Sequence, residues 1–199
     1  MFFVKARFHI KDEIRILGID DSALIADTIT IVGAFFRGGM WLDGVLRSEI
    51  IRDGMDATDR IIEMVRKSKH FPQIRAIMLD GVTYGGFNPV DIVHLNQETS
   101  IPVIVLMRDL PDLKKMEAAL IHLPESEKRM KIIKKAGSII EVITKDRSNP
   151  VFIQCSGIEA KMAARIVQVS STRSNIPEPL RVAHLIATGI VLGESRGKA

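Results

Sequence analysis

The sequence predicts a single α/β domain, in which an antiparallel meander is followed by parallel strands and helices flank the mixed sheet. The chain has 199 residues, of which 46% are hydrophobic and 26% are charged, as in an ordinary globular domain. Its N-terminal part is rich in β-prone runs, whereas strand-like and helix-like segments alternate from residue 75 onward. We expect the domain to span residues 1–192 and residues 193–199 to form a flexible tail, because the tail has almost nothing to bury.

The meander is predicted from β-branched runs and one glycine turn. The β-prone runs cover residues 2–10, 15–20 and 28–36. Gly38 and Gly39 follow the third run and supply the positive φ angles that a tight hairpin needs. Residues 40–46 are then expected to return as an antiparallel strand.

Apolar spacing predicts the remaining elements. A helix is expected to begin near Asp56, because an acidic first turn precedes an apolar stripe at helical spacing. Further strands are predicted at residues 75–79, 101–107, 138–144 and 151–154, and further helices at residues 89–96, 113–123, 125–136, 159–169 and 180–192.

Composition excludes several classes of protein. No run approaches the ~18 uncharged apolar residues of a membrane span, and charged residues begin at Lys5, too early for a signal peptide. We therefore expect a cytoplasmic protein with no membrane partner. The single cysteine, Cys155, excludes an internal disulfide and a thiolate-rich zinc site. A net charge of +4 and a pI near 9.3 are compatible with nucleic acid as partner.

Two apolar strands end in aspartate, Ile16-Leu17-Gly18-Ile19-Asp20 and Ile77-Met78-Leu79-Asp80. If the strands are parallel neighbours, Asp20 and Asp80 lie at the same edge of the sheet, where a divalent cation such as Mg²⁺ would relieve their repulsion. Strand alternation allows only one of Asp20 and Asp21 to face this site, and we choose Asp20 because the apolar run ends there. Alternatively, each aspartate caps a turn.

The third feature is the segment Ile176-Pro177-Glu178-Pro179, which keeps the chain extended before a helix that carries His184. His184 can ligate a metal through water, shuttle a proton, or simply lie on a helix surface. Glu178 and Arg181 are spaced for a local ion pair. A lysine-rich helix around Lys131 is either a solvated face or a surface that contacts phosphate.

Taken together, these motifs resemble endonuclease V and, more closely, a mostly archaeal family of endonuclease V-like proteins with a ribonuclease H-like fold. The matching segments extend over almost the entire chain: Leu17-Gly18-Ile19-Asp20, Leu79-Asp80-Gly81, Glu98-Thr99-Ser100-Ile101-Pro102-Val103-Ile104, and Ile176-Pro177-Glu178-Pro179-Leu180-Arg181 with Ala183-His184.

The resemblance implies a nuclease that uses Mg²⁺ or Mn²⁺ to hydrolyse phosphodiester bonds in DNA or RNA. It implies that Asp20 and Asp80 hold the metal and that His184 is catalytic with them. The oligomeric state is not specified. Arg108 matches a lysine of the nuclease and is expected, with Arg181, to contact the substrate; unlike lysine it cannot give up a proton.

Three departures from the nuclease shape our expectations. Its catalytic glutamate has no clear match, and Asp53, Asp56 and Glu49 are the candidates in that order. Its strand-separating wedge is missing, so we expect a specificity different from the repair of deaminated bases. Its basic loop after the second aspartate is replaced by Val82-Thr83-Tyr84-Gly85-Gly86-Phe87, in which Tyr84, Gly85 and Gly86 can contact a base or a phosphate.

We therefore expect an endonuclease V-like, metal-dependent nuclease. The alternatives are a nucleic-acid-binding or interaction module that has lost a complete metal site, and an enzyme acting on a small phosphorylated compound.

Overall fold

The structure, a computed structural model, describes residues 10–197. The helices and strands in this range are β1 (Arg15–Asp21), β2 (Thr28–Arg37), β3 (Trp41–Ile51), α1 (Ala57–Lys67), β4 (Ala76–Asp80), β5 (Thr83–Tyr84), β6 (Asn88–Pro89), α2 (Ile92–Thr99), β7 (Val103–Met107), α3 (Leu113–Leu120), α4 (Ser126–Lys135), β8 (Ile140–Val142), β9 (Val151–Ser156), α5 (Ala160–Ser170) and α6 (Glu178–Leu192). The strand predicted at residues 2–10 lies outside the described residues except for Ile10, which is not in a strand.

Seven strands form one mixed sheet in the order β3-β2-β1-β4-β7-β9-β8. β3, β2 and β1 are antiparallel, whereas β1, β4 and β7 are parallel. The predicted mixed α/β sheet, a meander followed by parallel strands, is thus confirmed.

The last two strands differ from the expected crossover pattern. β9 is antiparallel to both β7 and β8. β8 and β9 are joined by residues 143–150, which contain no helix. A parallel connection needs a crossover of roughly a dozen residues or more, so this short link closes an antiparallel pair instead.

The end of one strand and the start of one helix also differ from the predicted positions. The returning strand of the meander continues to Ile51, beyond the predicted residue 46, because its outer edge is open to solvent and tolerates the charged Arg47 and Glu49. The helix predicted at residues 89–96 begins at Ile92, because Asn88–Pro89 pairs with Thr83–Tyr84 in a small hairpin.

Helices cover both faces of the sheet. Leu17, Ile19 and Leu79 pack with apolar residues of α1, α2 and α4 on one face. Ile16, Met78 and others pack with α5 and α6 on the opposite face. Successive residues of a strand alternate between the faces, so Asp20 shares the α6 face and Asp21 shares the α1 face.

Helix α6 lies directly on the sheet because position 18 is glycine. A Cβ at Gly18 would lie 2.6 Å from the Cβ of Pro179, well inside van der Waals contact. This close approach brings the first turns of α6 to the end of β1. Across residues 10–197, no helix combines the length and the apolar composition that crossing a membrane requires.

Candidate functional site

The carboxyl ends of β1 and β4 bring the two predicted aspartates together. Ile19 pairs with Leu79 in the parallel ladder, so Asp20 and Asp80 follow at adjacent positions on the same face. His184 reaches the same point from α6. One side-chain oxygen or nitrogen from each of Asp20, Asp80 and His184 lies within 4.8 Å of the others.

Asp20 and His184 form a tightly held pair. His184 Nδ1 lies 2.8 Å from Asp20 Oδ2, and the second Asp20 oxygen accepts a hydrogen bond from the backbone of Asp21 at 2.8 Å. His184 Nε2 lies 3.1 Å from the carbonyl oxygen of Arg196. Because both ring nitrogens face oxygen acceptors, the site favours the doubly protonated imidazolium.

The pKa values of this pair reflect its burial. Only 4% of Asp20 is exposed, and burial raises its pKa from 3.8 to about 7 against the opposing hydrogen bond from His184. The neighbouring carboxylates of Asp80 and Asp21 add to the rise. The hydrogen bond to Asp20 in turn raises the pKa of His184 above its usual 6.5. A proton is therefore held between the two groups near neutral pH.

Arg108 is the partner of Asp80. Its two terminal nitrogens each lie 3.0 Å from one oxygen of the Asp80 carboxylate, a two-point ion pair. Arg108 follows β7, the next parallel strand after β4. The resemblance placed Arg108 at a substrate; in the structure its guanidinium lies on a carboxylate of the site.

Tyr84 links the two strand ends from within the core. It is completely buried, and its hydroxyl donates to the carbonyl of Ile19 at 2.8 Å while accepting from the backbone N–H of Asp80 at 3.0 Å. Burial raises the pKa of Tyr84 well above 10, so the phenol stays neutral. The ring is not exposed for stacking on a base; instead, the hydroxyl fixes the spacing between Asp20 and Asp80.

The glycine pair after Tyr84 lies in the tight turn of a small hairpin, and two amides of this turn have partners within the protein. Gly85 and Gly86 have φ angles of 52° and 89°, which the three-residue loop between Tyr84 and Asn88 requires. The N–H of Gly85 donates to Asp21 Oδ2 at 2.5 Å, and the N–H of Phe87 donates to Asp53 Oδ1 at 2.8 Å. A carboxylate of the protein thus takes the amide of Gly85, where a phosphate was expected.

None of the three candidates for the third carboxylate belongs to the cluster of ligand atoms found within residues 10–197. Asp53 is bound to the turn at Phe87, and Asp56 accepts from Asn88 Nδ2 at 2.7 Å. Glu49 is different: it pairs with Thr30 of β2, two residues from the Val32 that pairs with Asp20. Glu49 therefore lies on the Asp20 face of the sheet, with Arg47 as its ion-pair partner.

Arg181 is also engaged within the protein. It forms a two-point ion pair with Glu178 one turn earlier in α6, with Nε donating to Oε1 and Nη2 to Oε2, and only 3% of Glu178 is exposed. The hydrogen bonds to Glu178 raise the pKa of Arg181 above its usual range. This ion pair fixes the start of the helix that carries His184.

A cleft of about 610 Å³ opens over the three clustered residues. The residues that line it are Asp20, Asp21, Ser22, Ala23, Asp80, Gly81, Leu106, Met107, Arg108, His184, Thr188, Leu192, Arg196 and Gly197. The last two come from the segment expected to be a tail. In the structure this segment turns back along α6, where Ser195 Oγ donates to the carbonyl of Leu185 at 2.8 Å.

The residues present fit a divalent cation. The carboxylates of Asp20 and Asp80 are hard oxygen donors that suit Mg²⁺ or Mn²⁺ when water and a phosphate complete the shell, and His184 lies close enough to contact a bound water. Burial first, and then the neighbouring carboxylates of Asp80 and Asp21, raise the pKa of Asp20, so a cation bound there would lower the cost of ionising this side chain.

Known proteins resemble this chain over nearly its full length. The family model described as endonuclease dU matches residues 12–191. A UPF0215 protein of Methanosarcina mazei is 61% identical over 192 residues, which are 96% of this chain and 98% of that protein.

Solved structures show the same fold. A protein of unknown function from Archaeoglobus fulgidus is 43% identical, with a TM-score of 0.81 over 88% of this chain and 97% of that one. Endonuclease V of Ciona intestinalis, in complex with a 24mer DNA containing an inosine followed by a ribo-adenosine, is 15% identical, with a TM-score of 0.60 over 90% and 86% of the two chains. The expected ribonuclease H-like fold and the relationship to endonuclease V are confirmed. Because the family model and the archaeal relative both cover almost the entire chain, this protein belongs to the endonuclease dU family.

Proposed function

We propose that this protein is a nuclease that uses Mg²⁺ or Mn²⁺ to hydrolyse a phosphodiester bond in nucleic acid. The observation that carries the proposal is the meeting of Asp20, Asp80 and His184 at the floor of one open cleft. The family and the fold support a nuclease-type function. The metal and the substrate are the parts that the proposal adds.

Each residue of the cleft has a role in the proposed reaction. Asp20 and Asp80 would hold the ion, which when bound would neutralise phosphate charge and lower the pKa of a water. Asp20 also orients the ring of His184 and stabilises its charge, so His184 can hold or pass a proton at Nε2. Arg108 supplies a permanent positive charge that cannot act as a general acid.

The family supports nucleic acid as the substrate class of the proposed reaction. The matching family is described as endonuclease dU, and the Ciona relative was solved with inosine-containing DNA. The sequence, in contrast, predicts a specificity different from deaminated-base repair. The exposed side chains of Met40 and Trp41 provide no substitute wedge, because the turn before β3 lies at the opposite end of the sheet from Asp20.

The proposal is tested by cleavage of labelled single- and double-stranded DNA and RNA with Mg²⁺ or Mn²⁺. The duplex set contains unmodified, deoxyuridine and inosine substrates, so one experiment also decides between the two expectations for specificity. We expect Asp80→Ala to abolish cleavage. Asp59→Ala is the matched control, because Asp59 is an exposed aspartate in the first turn of α1, on the other face of the sheet. Cleavage that persists in Asp80→Ala contradicts the proposal.

One observation favours a second candidate, a nucleic-acid-binding module without turnover. Arg108 already neutralises Asp80, and no third carboxylate joins the cluster within the described residues. This candidate predicts salt-dependent binding without cleavage. Calorimetry that detects metal binding lost in both Asp20→Asn and Asp80→Asn would count against it.

A further inference from the structure

The ion pair between Arg108 and Asp80 creates a competition at the proposed metal site. Both terminal nitrogens of Arg108 lie on the carboxylate of Asp80, one on each oxygen, at 3.0 Å. Only 9% of the Asp80 side chain is exposed. An approaching cation therefore meets a carboxylate whose two oxygens are already occupied.

Electrostatics make the two arrangements mutually unfavourable. A cation bound to Asp80 would lie within a few ångströms of the guanidinium, and like charges at that distance repel strongly in a partly buried site. The pKa of arginine is too high for the side chain to lose its charge, so it must move instead.

The side chain of Arg108 is partly exposed and borders the open cleft, so it can leave Asp80 for another partner. Arg108 follows the last residue of β7 in the chain, so no ladder pairing holds it, and 37% of its side chain is exposed. It also lines the same open cleft as Asp20 and His184. A phosphate entering this cleft would offer the guanidinium another pair of oxygens with two-point geometry.

We propose that Arg108 is an internal counter-cation: it occupies Asp80 in the metal-free protein and transfers to a substrate phosphate when a divalent ion binds. This inference rests on the proposed metal-dependent action on nucleic acid. It adds that metal and nucleic acid bind cooperatively. A phosphate that binds Arg108 frees Asp80 for the metal, and a metal that binds Asp80 frees Arg108 for the phosphate. By linkage, nucleic acid raises metal affinity by the same factor as metal raises nucleic-acid affinity.

The test measures Mn²⁺ binding by calorimetry in the wild type and in Arg108→Gln. Each protein is titrated alone and with a short single-stranded DNA whose phosphorothioate linkages resist cleavage. We expect Arg108→Gln alone to bind Mn²⁺ roughly tenfold more tightly than the wild type, because a two-point, partly exposed ion pair no longer competes. We expect the DNA to strengthen Mn²⁺ binding in the wild type and to have little effect in Arg108→Gln.

Two further variants make the result specific. Arg196→Gln removes a positive charge from the same cleft, but its guanidinium pairs with Glu194 and not with the cluster, so we expect a smaller change in affinity. Arg108→Lys keeps the charge and loses the two-point geometry; it should show an intermediate affinity and serves if Arg108→Gln does not fold.

Several results would overturn the inference. Equal Mn²⁺ affinity in the wild type, Arg108→Gln and Arg108→Lys would do so, as would an undiminished effect of DNA in Arg108→Gln. An Arg196→Gln effect as large as that of Arg108→Gln would reduce the finding to general electrostatics. Absence of Mn²⁺ binding in every variant would instead overturn the proposed metal site itself.

Discussion

Replacing Asp20 by asparagine should stabilise the metal-free protein, although it removes a residue of the proposed site. Burial raises the pKa of Asp20 from 3.8 to about 7. The folded protein therefore holds the Asp20 proton more tightly than the unfolded chain does. Ionising this carboxylate costs folding free energy, and the wild type loses stability as the pH rises from about 4 to about 7.

The size of the effect follows from the shift. A rise of about 3 pKa units corresponds to roughly 4 kcal/mol at pH values above 7, since each unit is worth about 1.4 kcal/mol. Asparagine stays neutral and can still accept the hydrogen bond from the backbone of Asp21. We therefore expect Asp20→Asn to gain a few kcal/mol at pH 8 without metal and little at pH 4.

Denaturant unfolding of both proteins between pH 4 and pH 8, with a chelator present, measures this difference. The expected curve for Asp20→Asn is flatter than that of the wild type. Adding Mg²⁺ should stabilise the wild type and not the variant, because only the wild type retains both carboxylates. The reasoning is refuted if Asp20→Asn is less stable than the wild type at pH 8, or if the gap between them does not depend on pH.

Three other predictions address the support of the site. Tyr84→Phe should lower stability by about 1–3 kcal/mol in denaturant unfolding, because the carbonyl of Ile19 and the N–H of Asp80 lose their buried partner; no loss would contradict this role. Gly18→Ala should cost about 1–3 kcal/mol by the same measurement and weaken metal binding in calorimetry, since the new Cβ overlaps Pro179 at the start of α6; wild-type values for both would contradict the close approach. Glu49→Gln should lower the rate of cleavage more than Asp53→Asn does, because only Glu49 lies on the Asp20 face; the reverse ranking would restore the order expected from sequence.

Much of the fold follows from local patterns. The glycine turn at residues 38–39 predicts the meander, and the alternation of strand-like and helix-like segments from residue 75 onward predicts parallel strands. The antiparallel arrangement of β8 and β9 is not contained in such patterns. It depends on how residues 143–150 return to the sheet, and a buried strand has the same apolar pattern in either direction.

In the candidate site, too, local patterns predict some features and not others. Strand alternation allows only one of Asp20 and Asp21 to face the site, and the end of the apolar run favours Asp20; the structure places these side chains on opposite faces. The side chains that hydrogen-bond to the loop backbones could not be predicted from the sequence. Asp21 holds the turn at Gly85, and Arg129, which is 2% exposed, binds the carbonyls of Gly54 and Phe87. Arg129 lies in a lysine-rich helix and carries no local feature that distinguishes it from its solvated neighbours.

The candidates for the third carboxylate, expected in the order Asp53, Asp56 and Glu49, differ in a way that local sequence does not carry. In the sequence, all three are simply acidic residues of one segment. The folded positions of these three side chains differ. Asp53 accepts from the backbone of Phe87, and Asp56 accepts from the backbone of Ile51 and the side chain of Asn88. Glu49 instead occupies a position of β3 that faces α6, and this depends on the register of β3. A register shift of one residue would reverse that assignment.

The central claim is that Asp20 and Asp80 hold a divalent metal ion, with His184 beside them in the same site. The most direct measurement is an anomalous difference map from a crystal of the full chain grown with Mn²⁺. We predict one strong peak within ligand distance of both the Asp20 and Asp80 carboxylates, with the guanidinium of Arg108 displaced from Asp80. An ordered, manganese-saturated crystal in which the Arg108–Asp80 pair is intact and the cleft has no peak would contradict the claim.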